Sequence, residues 1–273
     1  RGSRPSSDTL DEALAAAARH TIALHAWATC WTLEGADPAL VTRLTREGRL
    51  MRDAAGNTLP WLCPSLPENR ALLIDGLRAL ARRGVAGIHL DYVRYPETAG
   101  CYAPATRKAF EAARGAPVTA WPADVLPGGP LAAPFAEFRR AAMTAFIREV
   151  RAALRAAAPK VRISAAVFPT PAAAAERGQA WPDWLREGLI DFACPMTYTE
   201  NPADFRAWLD QCLAAAPADK LVPGLGTGAD ECQLDAATAA AQIADIRRHR
   251  LAGFAFFAVD DELTGSLLPR LFP

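Results

Sequence analysis

The fold prediction starts from the stretch Gly87-Ile88-His89-Leu90-Asp91-Tyr92-Val93-Arg94-Tyr95-Pro96. An amphipathic helix over residues 69–83 precedes it, and its apolar run ends in polar and aromatic residues. This order is typical of a buried parallel strand that delivers side chains into a pocket at its C-terminal end. Strand alternation places His89 and Asp91 on one face. Because a buried carboxyl group is costly without a partner or a task, we predict a functional Asp91; the alternative is that it only pairs with Arg94 or caps a loop.

Five further strands are predicted, each separated from the next by helical sequence. Together with the first stretch they lie near residues 21–28, 86–92, 161–168, 191–198, 221–226 and 253–259. Strands that alternate with helices form a parallel sheet with crossover helices. We therefore predict a single α/β domain over residues 1–273, a (β/α)8 TIM-type barrel of which six β units are visible. An incomplete or distorted barrel is the alternative architecture.

Several motifs resemble those of a known family. Residues 89–96 resemble the signature of a bacterial glycosyl-hydrolase-like family whose members are described as similar to family-ten glycosidases. Other segments agree in the correct order between Asp8 and Phe257: His25-Ala26-Trp27, Trp61-Leu62-Cys63-Pro64, residues 184–191 and residues 194–198. The resemblance implies a (β/α) barrel that cleaves glycosidic bonds, with bacterial cell-wall glycan among the substrates. Because the family carries two β units before the helix at Asp8, it also implies that the first two units are missing from this chain.

Composition argues against several other classes of protein. The net charge is zero and the basic residues are not clustered, so we predict no nucleic-acid partner. No apolar run reaches 18 residues, so no membrane span is predicted. Residues 1–7 are polar and do not form a signal peptide. We expect a periplasmic or secreted protein whose signal is absent from this sequence, with the cytoplasm as the alternative; the oligomeric state stays open.

No cofactor is predicted. Gly224-x-Gly226-x-Gly228 lacks the third spaced glycine of a dinucleotide motif. His25, His89 and Asp91 form the one set that suits a metal, and a metal-dependent deacetylase or amidohydrolase is therefore a weaker alternative. Six cysteines, at positions 30, 63, 101, 194, 212 and 232, show no zinc spacing, and their disulfide pairing is not predictable from the sequence.

Hydrolysis of a glycosidic bond needs two carboxyl groups. Barrel enzymes place their working groups at the C-terminal ends of strands, where Asp91 is our first candidate. Glu200 is the preferred partner because it follows a strand end with aromatic residues, and Asp260 is the second choice. The alternatives are an exposed loop carboxylate for Glu200 and a cap on the last helix for Asp260. The other strand-end carboxyl groups are Asp230, Glu231 and Glu262.

Sugar sites also need aromatic platforms and hydrogen-bonding supports. His89 and Tyr198 are predicted to lie beside Asp91 as supports, and Arg94 to bind an anionic group or to hold Asp91 ionised. The predicted substrate-binding side chains are His25, Trp27, His89, Tyr92, Arg94, Trp121, Tyr198 and Asp260. Further platform candidates are Trp31, Tyr95 and Trp181.

A long excursion rich in proline and glycine, residues 97–134, follows the Asp91 strand. One helix, over residues 107–114, is predicted within it. Because the excursion leaves the C-terminal end of a barrel strand, we predict that it walls the substrate cleft, with Trp121 as a sugar platform. The sequence thus predicts a glycoside hydrolase that acts on a polysaccharide. A carbohydrate-binding barrel without catalysis is the main alternative, and a second carboxylate facing Asp91 would distinguish the two.

Overall fold

The computed structural model describes residues 7–96, 100–229 and 232–272. Its strands are β1 (His25–Thr29), β2 (Leu50–Arg52), β3 (Thr58–Leu62), β4 (Gly87–Asp91), β5 (Arg162–Val167), β6 (Phe192–Pro195), β7 (Gly224–Gly226) and β8 (Ala255–Phe257). Its α-helices are α1 (Ser7–Arg19), α2 (Pro38–Arg46), α3 (Pro67–Arg82), α4 (Pro104–Arg114), α5 (Ala132–Ala157), α6 (Pro171–Glu176), α7 (Trp181–Arg186), α8 (Pro202–Ala215), α9 (Ala236–Arg248) and α10 (Leu268–Leu271). In the described ranges, no helix is both long and apolar enough to cross a membrane.

Six strands run parallel in chain order. β1, β4, β5 and β6 form a hydrogen-bonded sheet, and β7 pairs with β8. Parallel bridges from Ala193 to Leu221 and from Met196 to Gly224 join β6 to the β7 segment. The alternating helices and the parallel order confirm the predicted α/β barrel class. Within the described residues, β1 pairs only with β4 and β8 only with β7, so both strands leave an outer edge open.

The first strand begins later than predicted. The strand was expected over residues 21–28 and to end near His25, but His25 is its first residue and lies opposite Gly87. The residues before it close the end of α1: the Ile22 amide donates to the Ala17 carbonyl over 2.8 Å, and Thr21 has a φ of +54°. The prediction that His25 lies at a strand C-terminus is therefore wrong. Thr29, not His25, lies opposite Asp91.

An antiparallel hairpin, β2 and β3, occupies the connection after β1, where we predicted no strand. Its tip is closed by the Asp53 carboxylate, which accepts a hydrogen bond from the Asn57 amide over 2.8 Å. Gly56 has a φ of +89°, a conformation that glycine adopts without strain. The strands have three and five residues, too short for a clear alternation pattern.

The excursion has a small core of its own. Its buried members are Tyr102, Phe110, Val118, Val125 and Phe135. The predicted helix is present as α4, and α5 begins at Ala132, within the excursion. The Tyr102 amide donates to the Arg52 carbonyl over 2.8 Å, which places the start of the excursion beside the hairpin that follows β1.

Candidate active site

Asp91 ends β4, and both of its carboxylate oxygens accept a hydrogen bond. The Trp27 indole Nε1 donates to Oδ2 over 3.0 Å, and the Tyr92 backbone amide donates to Oδ1 over 2.6 Å. Tyr92 has a φ of +49°, in the left-handed region that non-glycine residues rarely occupy. The first turn after the strand and an indole from the neighbouring strand therefore fix the orientation of the carboxylate.

Asp91 separates two cavities. One, of about 390 Å³, lies in the barrel interior and is lined from below by His25 and Phe192. The other, of about 310 Å³, lies beyond the strand ends and is lined by Tyr92, Arg94, Met196, Gly228 and Ala229 among others. Three residues line both cavities: Asp91, Tyr198 and Phe257. The Asp91 carboxyl group is thus reachable from the face on which barrel enzymes carry their active sites.

Tyr198 and Phe257 form an aromatic wall beside Asp91. Their rings stack with centroids 5.6 Å apart and an interplanar angle of 18°. A Cβ on Gly224 would lie 2.9 Å from the Tyr198 ring, and one on Gly226 would lie 3.2 Å from Tyr198 Cβ. The glycines of the Gly-x-Gly pattern therefore make room for this tyrosine. Sequence reasoning missed Phe257; the signal was its position at the end of the last predicted strand.

Trp27 both orients Asp91 and closes the aromatic wall. Its ring meets that of Phe257 at 6.1 Å in an edge-on arrangement, although the two residues belong to strands that do not pair. The side chain is 58% exposed, and among the described large apolar residues only Val259 and Ile22 are more exposed. A flat aromatic surface open to solvent next to a carboxylate is the kind of surface on which sugar rings can stack.

The two histidines lie below Asp91 in the barrel. His89 Nδ1 is 2.9 Å from the Ser164 hydroxyl, so its hydrogen bond is made within the barrel interior. Burial lowers the pKa of His89, although Asp91 acts in the opposite direction. The His25 ring occupies the space over Gly87, where a Cβ would lie 2.4 Å away, and burial and Arg162 lower its pKa. Both imidazoles are therefore held neutral near pH 7.

The metal set of the weaker alternative, His25, His89 and Asp91, does not form. Across residues 7–96, 100–229 and 232–272, no group of three histidine, cysteine, aspartate or glutamate side chains could hold a metal ion. His25 is too far along its strand to join such a set. In β1 it is Thr29 that pairs with Asp91, and His25 precedes Thr29 by four residues.

Arg94 lies in the outer cavity beside Asp91, within a cage of aromatic rings. Its guanidinium carbon is 4.9 Å from the Tyr92 ring centroid, 5.2 Å from that of Phe168 and 5.7 Å from that of Trp61. Cation–π contacts of this kind hold a guanidinium in place.

The predicted second carboxylates lie outside both cavities. Glu200 is exposed and accepts a hydrogen bond from the Gln233 amide over 3.1 Å. Asp260 accepts one from the Leu263 amide over 2.7 Å and caps the helical turns over residues 261–267, which lead into α10, as its alternative predicted. Its Oδ2 lies 3.1 Å from where a Cβ on Gly228 would stand, at the rim of the outer cavity. Asp230 and Glu231 fall outside the described residues.

Three of the further platform candidates are core residues. Trp31, Tyr95 and Trp181 are fully buried in the main core. Trp121 packs against the core of the excursion, with its indole Nε1 donating to the Tyr102 carbonyl over 3.0 Å and its ring 5.6 Å from that of Phe135. It lines neither cavity beside Asp91. The substrate-binding role of Trp121 stays a prediction, and its half-buried ring also contributes to the core of the excursion.

The comparison with protein families shows to which family the chain belongs. The model of a family described as glycosyl hydrolase-like 10 matches residues 1–238. The chain belongs to this family. The resemblance inferred from the motif at residues 89–96 is confirmed. A search of curated proteins returned no match.

Solved structures share the fold at low identity. The glycoside hydrolase domain of PgaB (BpsB) from Bordetella bronchiseptica aligns with a TM-score of 0.69 and 16% identity, over 92% of this chain and 74% of that domain. A β-galactosidase from Rahnella sp. R3 aligns with a TM-score of 0.66 and 13% identity, over 94% of this chain and 43% of that one. A chitinase from Chromobacterium violaceum aligns with a TM-score of 0.51 and 14% identity, over 95% of both chains. These similarities confirm the barrel fold.

Proposed function

We propose that this protein is a glycoside hydrolase in which Asp91 is the indispensable carboxyl group. The observation that carries the proposal is the fixed Asp91 carboxylate, which two N–H donors orient at a strand end between two cavities. Membership of a glycosyl-hydrolase-like family supports it. Positioned carboxyl groups at this place in a barrel are what glycosidic bond cleavage requires.

The second carboxyl group is proposed to be Glu200, with Asp260 as the competing candidate. Glu200 follows Tyr198, which lines both cavities, by two residues, so it lies on the loop that leaves the aromatic wall. Asp260 lies at the rim near Gly228 but already caps a helical segment. Measuring Glu200→Gln and Asp260→Asn separately would assign the role, because the true partner alone should reduce turnover as strongly as a change at Asp91.

The proposed substrate is a polysaccharide, with bacterial cell-wall glycan as the first class to try. The Trp27, Tyr198 and Phe257 rings provide apolar surfaces for sugar rings, and Arg94 offers a positive charge for an acidic substituent. A substrate of this kind lies outside the cytoplasm, so we also propose a periplasmic or secreted location.

The test is a screen of polysaccharides, including cell-wall preparations, that measures release of reducing ends by wild type and Asp91→Asn. The amide keeps the shape of the side chain and removes its acid–base function, so turnover should fall by about 10²–10⁴-fold. The matched control is Asp75→Asn, the same chemical change on the exposed side of α3. Near-normal cleavage by Asp91→Asn would refute the proposal.

A carbohydrate-binding barrel without catalysis is the second candidate. The observation that favours it is that, among the described residues, Asp91 is the one carboxylate that lines either cavity. Wild-type protein that binds a polysaccharide in a pull-down assay without releasing reducing ends would support this candidate. Trp27→Ala should then weaken binding, because it removes an exposed stacking surface.

A further inference from the structure

A second cluster of reactive side chains lies away from Asp91, where the excursion meets the hairpin. Cys63 follows β3, Cys101 lies near the start of the excursion and Thr106 lies in the first turn of α4. All three are fully buried. The two sulfur atoms are 3.5 Å apart, and the Thr106 hydroxyl contacts both, at 3.3 Å from Cys63 and 3.2 Å from Cys101.

Backbone pairing, rather than side-chain rotation, brings the two cysteines together. The Cys63 amide donates to the Arg49 carbonyl over 3.0 Å, and the Tyr102 amide donates to the Arg52 carbonyl over 2.8 Å. Both segments are thus anchored to the β2 strand and to the residue before it. The Asn69 side chain also donates to the Cys63 carbonyl over 2.9 Å. Two sulfurs held next to each other by main-chain contacts need move only about 1.5 Å to reach bonding distance.

The pair also differs from other cysteines of the chain. The sulfurs of Cys30 and Cys212 contact backbone carbonyls, those of Ala28 at 3.7 Å and Pro169 at 2.9 Å. Burial alone would raise the pKa of Cys101, but hydrogen bonds from Cys63 and Thr106 outweigh it and lower that pKa to about 7. The Cys101 sulfur thus has the Cys63 sulfur and the Thr106 hydroxyl as its neighbours in the folded protein.

We propose that Cys63 and Cys101 form a disulfide bond when the chain folds in the presence of a disulfide oxidant. The thiolate of one cysteine attacks the oxidant and releases its first thiol; the other cysteine then attacks the mixed disulfide and releases the second. The two cysteines lose two electrons and two protons, and the oxidant becomes two thiols. Since both sulfurs are fully buried in the folded protein, the bond forms during folding, before the excursion closes over the hairpin.

The bond would tie the excursion to the hairpin by a closed loop of 38 residues. Cross-linking a loop of this length removes conformational entropy from the unfolded chain. We expect the oxidised protein to have a melting temperature roughly 5–10 °C above that of the reduced protein. This expectation does not depend on glycan cleavage.

The test is peptide mapping of wild-type protein refolded either with oxidised glutathione or with a reductant. Free thiols are alkylated in denaturant before digestion with trypsin. Cys63 and Cys101 fall in separate tryptic peptides, residues 53–70 and 95–107, each with a single cysteine. Oxidative refolding should give the two peptides linked, lighter than their sum by two hydrogen atoms, and reduction should separate them.

Two variants check that the thermal shift comes from this pair. Cys101→Ser should abolish both the linked peptide and the difference in melting temperature, whereas Cys212→Ser, which removes a buried cysteine outside the pair, should keep both. Recovery of Cys63 and Cys101 as alkylated free thiols after oxidative refolding, or of either one mainly linked to another cysteine, would overturn the proposal. The wild-type map decides the outcome even where a variant fails to fold.

Discussion

Replacing Trp27 by Phe tests how Asp91 is oriented. The substitution keeps an aromatic ring that can still meet Phe257, but it removes the indole N–H that donates to Asp91 Oδ2 over 3.0 Å. The Tyr92 amide would then be the remaining donor that we have identified on the carboxylate. We therefore expect a less precisely held Asp91 in a site that keeps its shape.

The expected loss of activity follows from the solvent exposure of the hydrogen bond between Trp27 and Asp91. A hydrogen bond to a charged group contributes about 1.5–3 kcal/mol when water does not compete. Trp27 is 58% exposed, so we take a reduced value of roughly 1–1.5 kcal/mol, which corresponds to about a five- to tenfold fall in kcat/KM. The assay is reducing-end release from the best polysaccharide found with wild type. The melting temperature should stay almost unchanged, because so little of the side chain is buried.

Trp61→Phe is the matched control. Trp61 contacts the Tyr92 ring and the Arg94 guanidinium, also beside the outer cavity, but it makes no hydrogen bond to Asp91 in the described structure. We expect Trp61→Phe to stay within about twofold of wild type. Unchanged activity in Trp27→Phe, or an equal loss in both variants, would show that the indole N–H does not position Asp91.

Two further predictions concern stability. Asp191 accepts both bonds of a bidentate pair with Arg151, at 3.0 and 3.1 Å, and one from the Ile163 amide. Although burial opposes it, these partners lower the pKa of Asp191, so in urea unfolding Asp191→Asn should cost roughly 1.5–3 kcal/mol at neutral pH. The pKa of Asp191 is lower in the folded protein than in the unfolded chain. The difference in the free energy of unfolding between wild type and Asp191→Asn should therefore be complete above about pH 4 and vanish as the pH falls below that value. A difference that does not change with pH would contradict this. Gly87→Ala should lower the free energy of unfolding by about 1–3 kcal/mol, since its Cβ would lie 2.4 Å from the His25 ring. Adding His25→Ala to this variant should recover part of the lost stability. Equal stability of Gly87→Ala and wild type would refute the clash.

The sequence was sufficient to predict the parallel strands because each one has a local signature. An apolar run between two helical segments marks a strand whatever the rest of the chain does, and this held for strands as short as the three residues of β7. The β2–β3 hairpin lacked such a signature. Its position depends on tertiary contacts, among them the antiparallel bridge from Thr32 to Trp61 and the bond from Tyr102 to Arg52. The start of β1 was misplaced for a related reason, since the end of α1 uses residues that also suit a strand.

The residues of the candidate site also divide into those that a local sequence signature predicts and those whose position depends on tertiary contacts. Asp91 could be predicted because strand alternation and a strand end determine where its side chain goes, and Tyr198 came from the same rule. Trp121 and Trp181 could not be separated from Trp27 by sequence, because an aromatic ring near a strand end or in a connection becomes a platform or a core residue according to what packs against it. Trp121 completes the excursion core, whereas Trp27 stays exposed because β1 has an open edge. The position of a second carboxylate depends on loops in the same way, and the loss of turnover in Glu200→Gln or in Asp260→Asn identifies the partner of Asp91.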